Sequence, residues 1–273
     1  METFITFLEK RVNDCSSLLC IGLDPHISDL PSPSADGAAA FCLELIERTA
    51  RYAAAFKPNA AFFEQFGAPG WTALKEVICA VQEQSQRLGS LIPVILDAKR
   101  GDIASTAEAY ARSAFTALGA HAITLSPYLG RDSIEPFLAV PEKGAFLLCK
   151  TSNPGAADLQ DLAVDGTGEP LYLAVARLAQ AWNTKNNVGL VVGATQPEAM
   201  ARVRAIAPAL WFLAPGVGAQ GGDLEAALKA GLRRDGRGLL LPVSRAISRT
   251  ADPGKTAAEL RDKIIDIQYQ LGN

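Results

Sequence analysis

Short apolar runs alternate with longer stretches of helical periodicity along the whole chain. Two of the runs, LIPVIL and GLVVG, are apolar throughout, which is typical of strands covered on both faces. Alternation of strands and helices predicts a parallel α/β fold. The predicted strands are residues 18–24, 53–59, 91–99, 122–126, 145–151, 188–193, 210–215 and 238–243.

Helical patterns fill the intervals between these strands, and the N-terminal segment METFITFLEKRVND is amphipathic. The composition does not shift along the 273 residues, a length that is normal for a single α/β barrel. We therefore expect one domain over residues 1–273, a (β/α)8 TIM barrel with an N-terminal helix. A doubly wound open sheet is the alternative. The predicted helices are residues 37–51, 68–87, 104–118, 169–184, 196–206, 223–230 and 254–271.

Polar residues at the strand ends favour the barrel, because α/β barrels carry their active sites at the carboxyl ends of the strands. Unrelated surface loops would show no such bias. The strand-end groups are Asp24, Lys57, Asp97, Lys99, Ser126, Thr151, Ser152, Gly216, Gly218 and Arg245.

Composition and charge exclude several classes of partner. The net charge is −3 and no basic patch stands out, so nucleic-acid binding is not indicated. No signal-peptide core and no apolar stretch long enough to span a bilayer is present. The five cysteines lack a C-x-x-C spacing, and the two histidines are too few for a His-rich metal site. We expect buried free thiols and a cytoplasmic protein.

The segment LDAKRGDI carries the strongest candidate chemistry. Strand alternation directs Asp97 and Lys99 the same way, into the barrel mouth. Lys57 ends the preceding strand, and Asp102 follows at the start of the next helix. Alternating cations and anions keep each other ionised, so a charged ammonium can meet a carbon that becomes basic when a carboxylate leaves. The alternatives are a buried structural ion pair for Asp97 and Lys99, and a helix N-cap for Asp102.

Two further loops are candidates for substrate contact. The glycine-rich run APGVG lets backbone N–H groups approach a phosphate, and Arg245 adds a bidentate anion partner. Barrels often place phosphate sites after strands seven and eight, where these residues fall. Tight turns are the alternative reading of the glycines. The long loop at residues 152–168 is either a lid or a mobile insertion.

Six segments occur in the order seen in the orotidine 5′-phosphate decarboxylase family, and the chain resembles its longer bacterial branch over residues 19–247. The segments are LCIGLDP, FKPN, LDAKRGDI, KTSNPG, APGVGAQGGD and PVSRAI. The resemblance implies that orotidine 5′-monophosphate is converted to uridine 5′-monophosphate and CO₂, the last step of pyrimidine synthesis. It also implies catalysis without a cofactor or metal, in a homodimer with shared active sites.

The resemblance also implies individual roles. The catalytic network would be Lys57, Asp97, Lys99 and Asp102, with Lys99 as proton donor to C6. Asp24 would bind the ribose, joined by Thr106 from the neighbouring subunit, and Ser152 would bind the pyrimidine edge. The phosphate would be held by Gly216, Gly218, Gln220 and Arg245. The chain departs from the family at Ser244, where glycine is common, in the length of the 152–168 loop and in lacking an aromatic residue in the phosphate loop.

Two other functions remain open from the sequence. Sugar-phosphate decarboxylases and aldolases of the same superfamily share D-x-K-x-x-D but bind a divalent metal, and they would need an acid where this chain has Lys57. A barrel that binds nucleotides without catalysis is the third reading. Such a binder has no need of Lys99 beside two carboxylates.

Overall fold

Within residues 2–30, 32–217 and 222–272, which the computed structural model describes, eight strands form one sheet in which paired neighbours are parallel. Each predicted strand is present, with ends that differ from the predicted bounds by at most four residues. The strands are β1 (Leu19–Leu23), β2 (Ala55–Pro58), β3 (Ile95–Arg100), β4 (Ala122–Leu125), β5 (Gly144–Lys150), β6 (Val188–Val192), β7 (Trp211–Leu213) and β8 (Leu239–Val243).

The sheet closes on itself. Its order is β2-β1-β8-β7-β6-β5-β4-β3, and parallel bridges join the two outer strands at Phe56–Val94 and Asn59–Asp97. This closure confirms the (β/α)8 barrel and excludes the open doubly wound sheet. β1, β6 and β8 are buried at every position, as their unbroken apolar runs predict.

Helices surround the barrel and connect its strands. The connection from β4 to β5 differs, because it holds short 3₁₀ helices at Pro127–Leu129, Arg131–Ser133 and Glu135–Leu138. A π-helical turn, Ser113–Ala117, extends the fifth α-helix. The α-helices are α1 (Phe4–Cys15), α2 (Ala35–Thr49), α3 (Ala61–Glu64), α4 (Gly67–Leu88), α5 (Ala104–Arg112), α6 (Ala157–Gln160), α7 (Leu171–Trp182), α8 (Pro197–Ile206), α9 (Leu224–Gly231), α10 (Arg245–Ser248) and α11 (Pro253–Gly272).

The predicted N-terminal helix, α1, covers the amino-terminal ends of the strands, which we call the floor of the barrel. A reciprocal hydrogen-bond pair between Thr3 and Thr6 caps its start. The Phe4 ring packs edge-on against Phe146 with centroids 6.0 Å apart, over the first residue of β5, Gly144. The opposite end, at the carboxyl termini of the strands, is left uncovered by α1 and is called the mouth.

Burial of the cysteines matches the sequence expectation. Cys15, Cys20, Cys42 and Cys149 are buried free thiols, and Cys79 is half-buried. Burial raises the pKa of Cys20 and of Cys149 to about 12, which keeps both thiols protonated. Among the described helices, none combines the length and the apolar character that a membrane crossing requires.

Candidate active site

A cavity of about 660 Å³ opens at the mouth of the barrel. Its walls come from the carboxyl ends of the strands and the loops that follow them, which is where the sequence placed the functional groups. Of the residues predicted for substrate contact or catalysis, the cavity is lined by Asp24, Lys57, Asp97, Lys99, Ser152, Gly216 and Arg245.

Three charged side chains meet at the centre of this cavity. The Lys57 Nζ donates to Asp97 Oδ2 at 2.8 Å, and the Lys99 Nζ donates to Asp97 Oδ1 at 2.5 Å. The bridge between Asn59 and Asp97 aligns the ends of β2 and β3 and so brings Lys57 beside Asp97. The side chain of Lys57 is 8% exposed and that of Lys99 is 51% exposed. Lys99 is therefore the ammonium that faces the open cavity.

The electrostatics at the centre of the cavity favour the charged forms of Asp97 and Lys57. Burial opposes the charged form of Asp97, but Lys57 and Lys99 outweigh it and hold the pKa of Asp97 below its usual range. Burial also opposes the charged form of Lys57, and the Asp97 and Asp24 carboxylates raise the pKa of Lys57 above its usual value. The charges of Asp97 and Lys57 are thus retained because their neighbours carry the opposite sign.

Asp24 presents an unused acceptor to the cavity. Its Oδ1 is buried and accepts no hydrogen bond. Among the described residues, Gln180 and Asn187 also carry such an oxygen, but Asp24 is the one of the three that lines this cavity. A buried acceptor without a partner is costly, so this oxygen fits a ligand hydroxyl.

Several lining residues were missed by the sequence analysis. Thr124, in the apolar strand β4, donates its hydroxyl to Asp97 Oδ1 at 3.0 Å. His26 packs its ring against Phe62 with centroids 4.4 Å apart. The isolated threonine of an otherwise apolar strand was a usable signal, whereas nothing in the local pattern marked His26.

The long 152–168 loop is anchored beside the cavity. Gln160 accepts from the Thr151 N–H at 2.9 Å and donates to the Thr151 hydroxyl at 2.8 Å. Asp161 pairs at 2.6 Å with Lys150, whose side chain is only 4% exposed. The middle of the loop is therefore fixed to the end of β5, next to Ser152. Gln160, which also lines the cavity, was not found from the sequence.

Gly216 and Arg245, which are predicted to bind the phosphate, line the part of the cavity formed by the loops after β7 and β8. Gly216 has φ +116°, a conformation that favours glycine, and its carbonyl accepts from the Gly222 N–H at 3.0 Å. Arg245 is exposed and begins α10. Ser244, the departure from the family pattern, packs against Gly22. Gly218 and Gln220 fall outside the described residues.

Two predicted residues do not reach this cavity within one chain. Asp102 lies one residue before Ile103, the N-cap of α5, so the N-cap reading of Asp102 is wrong. Its carboxylate accepts from the Ile103 N–H at 2.8 Å. Thr106 is exposed in the first turn of α5. A single chain therefore assembles Lys57, Asp97 and Lys99 without Asp102.

No three histidine, cysteine or acidic side chains of the described part of the chain are grouped so that they could hold a metal ion. The charged centre of the cavity contains one carboxylate between two ammonium groups. The two lysines can therefore supply positive charge and a proton to a ligand whose hydroxyl is bound by Asp24.

Comparison with known proteins agrees with the resemblance seen in the motifs. The model of the orotidine 5′-phosphate decarboxylase / HUMPS family matches residues 17–260. The orotidine 5′-phosphate decarboxylase of Roseiflexus castenholzii is 51% identical over 259 residues, covering 91% of this chain and 92% of that relative.

Solved structures show the same likeness. The OMP decarboxylase of Leishmania donovani is 54% identical with a TM-score of 0.88, covering 98% of this chain and 99% of that one. The UMP synthase of Leishmania donovani is 56% identical with a TM-score of 0.90. This chain spans only 57% of the UMP synthase, so the likeness concerns part of that longer protein.

Proposed function

Because the chain belongs to the orotidine 5′-phosphate decarboxylase / HUMPS family, we propose that it converts orotidine 5′-monophosphate to uridine 5′-monophosphate and CO₂. This is the last step of pyrimidine nucleotide synthesis. The observation that carries the proposal is the Lys57–Asp97–Lys99 triad at the centre of the mouth cavity. Its lysines supply positive charge where a metal-dependent sugar-phosphate enzyme would need acidic ligands.

In the proposed reaction, the bond between C6 and the carboxylate carbon breaks, and its electron pair stays on C6. Lys99 then transfers a proton from its Nζ to C6, which forms the new C–H bond. The charged ammonium also stabilises the developing negative charge before the proton moves. The exposed half of the Lys99 side chain gives water a route to restore the proton after product release.

The remaining lining residues bind the rest of the nucleotide in this proposal. The unpartnered Asp24 Oδ1 accepts from a ribose hydroxyl, and Ser152 bonds the pyrimidine edge. The backbone at Gly216 and the Arg245 guanidinium hold the phosphate, as charge-assisted hydrogen bonds favour. Gly218 and Gln220 are assigned to the phosphate by resemblance to the family.

A second copy of the chain completes the site. We assign Asp102 and Thr106 to the mouth of the partner subunit, because both lie outside the cavity of their own chain. Exposed apolar side chains lie on the loops after β3 and β4, with Ile103 53%, Tyr128 78% and Leu129 47% exposed. Isologous pairing of two such faces buries these side chains and gives a homodimer with two shared sites.

The proposed reaction takes place without a cofactor. No electron acceptor is consumed, and the two lysines provide the electrostatic stabilisation that a metal ion provides elsewhere. We also propose that the enzyme is cytoplasmic, since its five free thiols suit a reducing compartment.

The test is to add orotidine 5′-monophosphate to protein treated exhaustively with a chelator and to follow the loss of substrate absorbance. We expect full activity, with uridine 5′-monophosphate and CO₂ formed in equal amounts. An inactive chelated protein that recovers with Mg²⁺ would contradict the cofactor-free mechanism and favour a sugar-phosphate enzyme. Tight nucleotide binding without turnover would favour a non-catalytic barrel.

A further inference from the structure

The end of β3 does not follow regular strand pairing. Leu96 is opposite Ile123 of β4, but the next pair is Arg100 with Leu125. Three residues of β3, Asp97 to Lys99, therefore stand opposite one residue of β4, Thr124. Bulges of this kind occur next to active sites, where they redirect side chains.

The bulge forces an uncommon backbone conformation on Lys99. Its φ is +48°, in the left-handed region that residues with a Cβ atom rarely adopt. Such a conformation persists only where the surrounding contacts hold it in place. The position of the Lys99 ammonium thus depends on whatever holds the bulge.

The Thr124 hydroxyl occupies the centre of the bulge. It accepts from the Ala98 N–H at 3.1 Å and from the Lys99 N–H at 3.0 Å, and it donates to Asp97 Oδ1 at 3.0 Å. The hydroxyl therefore uses its single hydrogen and both of its lone pairs. Because Thr124 is 1% exposed, no solvent competes for these three bonds.

We propose that Thr124 is a positioning residue for the proposed decarboxylation, on which this inference rests. Its hydroxyl replaces the strand partners that Ala98 and Lys99 lose at the bulge, and it orients the carboxylate that binds both lysines. Thr124 touches the reacting groups only through Asp97 and the backbone of Lys99. Valine has nearly the same shape as threonine but can make none of the three bonds.

A separate anchor keeps the strand in place on the far side of the bulge. The Arg100 carbonyl accepts from the Ser126 N–H at 2.7 Å. The Arg100 side chain pairs with Glu64 and lies over the Tyr110 ring at 5.1 Å. We therefore expect a Thr124→Val protein to fold, with the change confined to Asp97, Ala98 and Lys99.

The test compares Thr124→Val with Thr124→Ser, which keeps the hydroxyl, in steady-state turnover of orotidine 5′-monophosphate. We expect Thr124→Val to lower kcat by about 10- to 100-fold, the effect of losing a hydrogen bond to a charged group. KM and the Kd for uridine 5′-monophosphate should change by less than about threefold, because the proposed ribose and phosphate contacts remain. Thr124→Ser should stay within about fivefold of wild-type kcat.

Thr49→Val is the matched control, because Thr49 is also buried but bonds a carbonyl of its own helix, Leu45. Its kcat should equal that of wild type. Binding of one uridine 5′-monophosphate per chain shows that a variant is fully folded. If Thr124→Val is insoluble, Thr124→Ala is judged by the same criteria.

The inference is overturned if the hydroxyl-free variant keeps wild-type kcat, or if Thr124→Ser is as impaired as Thr124→Val. The second outcome would show that the loss of kcat comes from removing the Thr124 methyl group rather than its hydroxyl. Wild-type protein without any turnover would instead reject the proposed function. The ratio of variant to wild-type kcat therefore tests the role of Thr124 separately from the reaction assigned to the enzyme.

Discussion

At the floor of the barrel, Glu9 and Arg11 of α1 find partners within the same chain, whereas at the mouth a buried oxygen of Asp24 does not. Glu9 accepts from the Trp211 indole at 3.1 Å and from Arg233 at 2.7 Å. Arg11 is 3% exposed and donates to the carbonyls of Ala53 and Ala50 at 2.9 and 2.7 Å. One chain is sufficient to satisfy these groups of the floor.

At the mouth, one comparable group is left without a partner. Asp24 has a buried oxygen without a partner, and Asp102 does not line the cavity of its own chain. Lys99 holds a left-handed backbone and exposes half of its side chain. These contacts of α1 stabilise a single chain, whereas in the proposed reaction the mouth is completed by a ligand and a second chain. Substitutions at the two ends should therefore act on different quantities.

The largest expected effect is on turnover at the mouth. Lys99→Ala should lower kcat by about 10²- to 10⁴-fold, the usual contribution of a positioned proton donor. The free energy of unfolding should change by less than about 1 kcal/mol, because the side chain is half exposed. Steady-state assays and urea denaturation measure the two quantities. Lys185→Ala, at the floor, is the control and should keep full kcat; a Lys99→Ala kcat within tenfold of wild type would remove Lys99 from its proposed role.

A smaller loss is expected at the phosphate end. Arg245→Ala should lower kcat/KM by about 100-fold, because charge-assisted hydrogen bonds to the phosphate are lost. Part of the loss should fall on kcat, since phosphate binding energy can be used to organise the loops over the base. Arg249→Ala is the matched control, because Arg249 is four residues further on and pairs with Asp29. Equal kcat/KM values for the two variants would exclude Arg245 from the site.

At the floor the effect should fall on stability instead. Arg11→Met keeps the apolar stem of the side chain but removes the Arg11 donor from the Ala53 carbonyl and from the Ala50 carbonyl, which keeps the Ala53 N–H at 3.4 Å. We expect the free energy of unfolding to fall by about 3 kcal/mol while kcat stays unchanged well below Tm. Lys10→Met, an exposed neighbour on α1, should change neither quantity. A loss of kcat in a folded Arg11→Met protein would show that the two ends are not independent.

The smallest expected effect is a pH dependence of the free energy of unfolding, caused by His121 at the floor. His121 accepts from the Val94 N–H through Nδ1, and burial, aided by Lys143, lowers the pKa of His121 to about 4. The unfolded chain, with a pKa near 6.5, binds the proton first, so acid favours unfolding between pH 6.5 and pH 4. The loss attributable to His121 should reach about 2 kcal/mol at pH 5 relative to pH 7.

Urea denaturation at the two pH values measures this difference in the wild type and in His121→Gln. Glutamine does not titrate but can still accept from the Val94 N–H. The variant should therefore lose about 2 kcal/mol less stability than wild type between pH 7 and pH 5. Equal losses in the two proteins would show that His121 is not the group responsible.

The sequence predicted the parts of the site that follow from strand periodicity. Lys57, Asp97 and Lys99 end predicted strands, and barrel closure brings strand ends together at one face. The same reasoning gave the floor helix from its amphipathic pattern. Even here the bulge at β3 was not predicted, because a change of register depends on contacts with β4 rather than on local preference.

Other parts of the site could not be read from spacing. The hydrogen bonds between Gln160 and Thr151 depend on the path of the loop that joins these two residues, which are nine positions apart. The sequence left open that Asp102 is the N-cap of α5, and only the start of α5 at Ala104 excludes that alternative. Loop paths are set by tertiary contacts, so they carry little local signal in the sequence.

Complementation between two inactive variants tests most directly the claim that the mouth is completed by a second chain. Lys99→Ala and Asp102→Ala are purified separately, mixed under conditions of demonstrated subunit exchange, and assayed with orotidine 5′-monophosphate. If Asp102 serves the partner, each mixed dimer has one intact site and one doubly altered site. Random exchange then restores about a quarter of all sites, as two-fold symmetry requires. Exchange without any recovery of activity would contradict the claim.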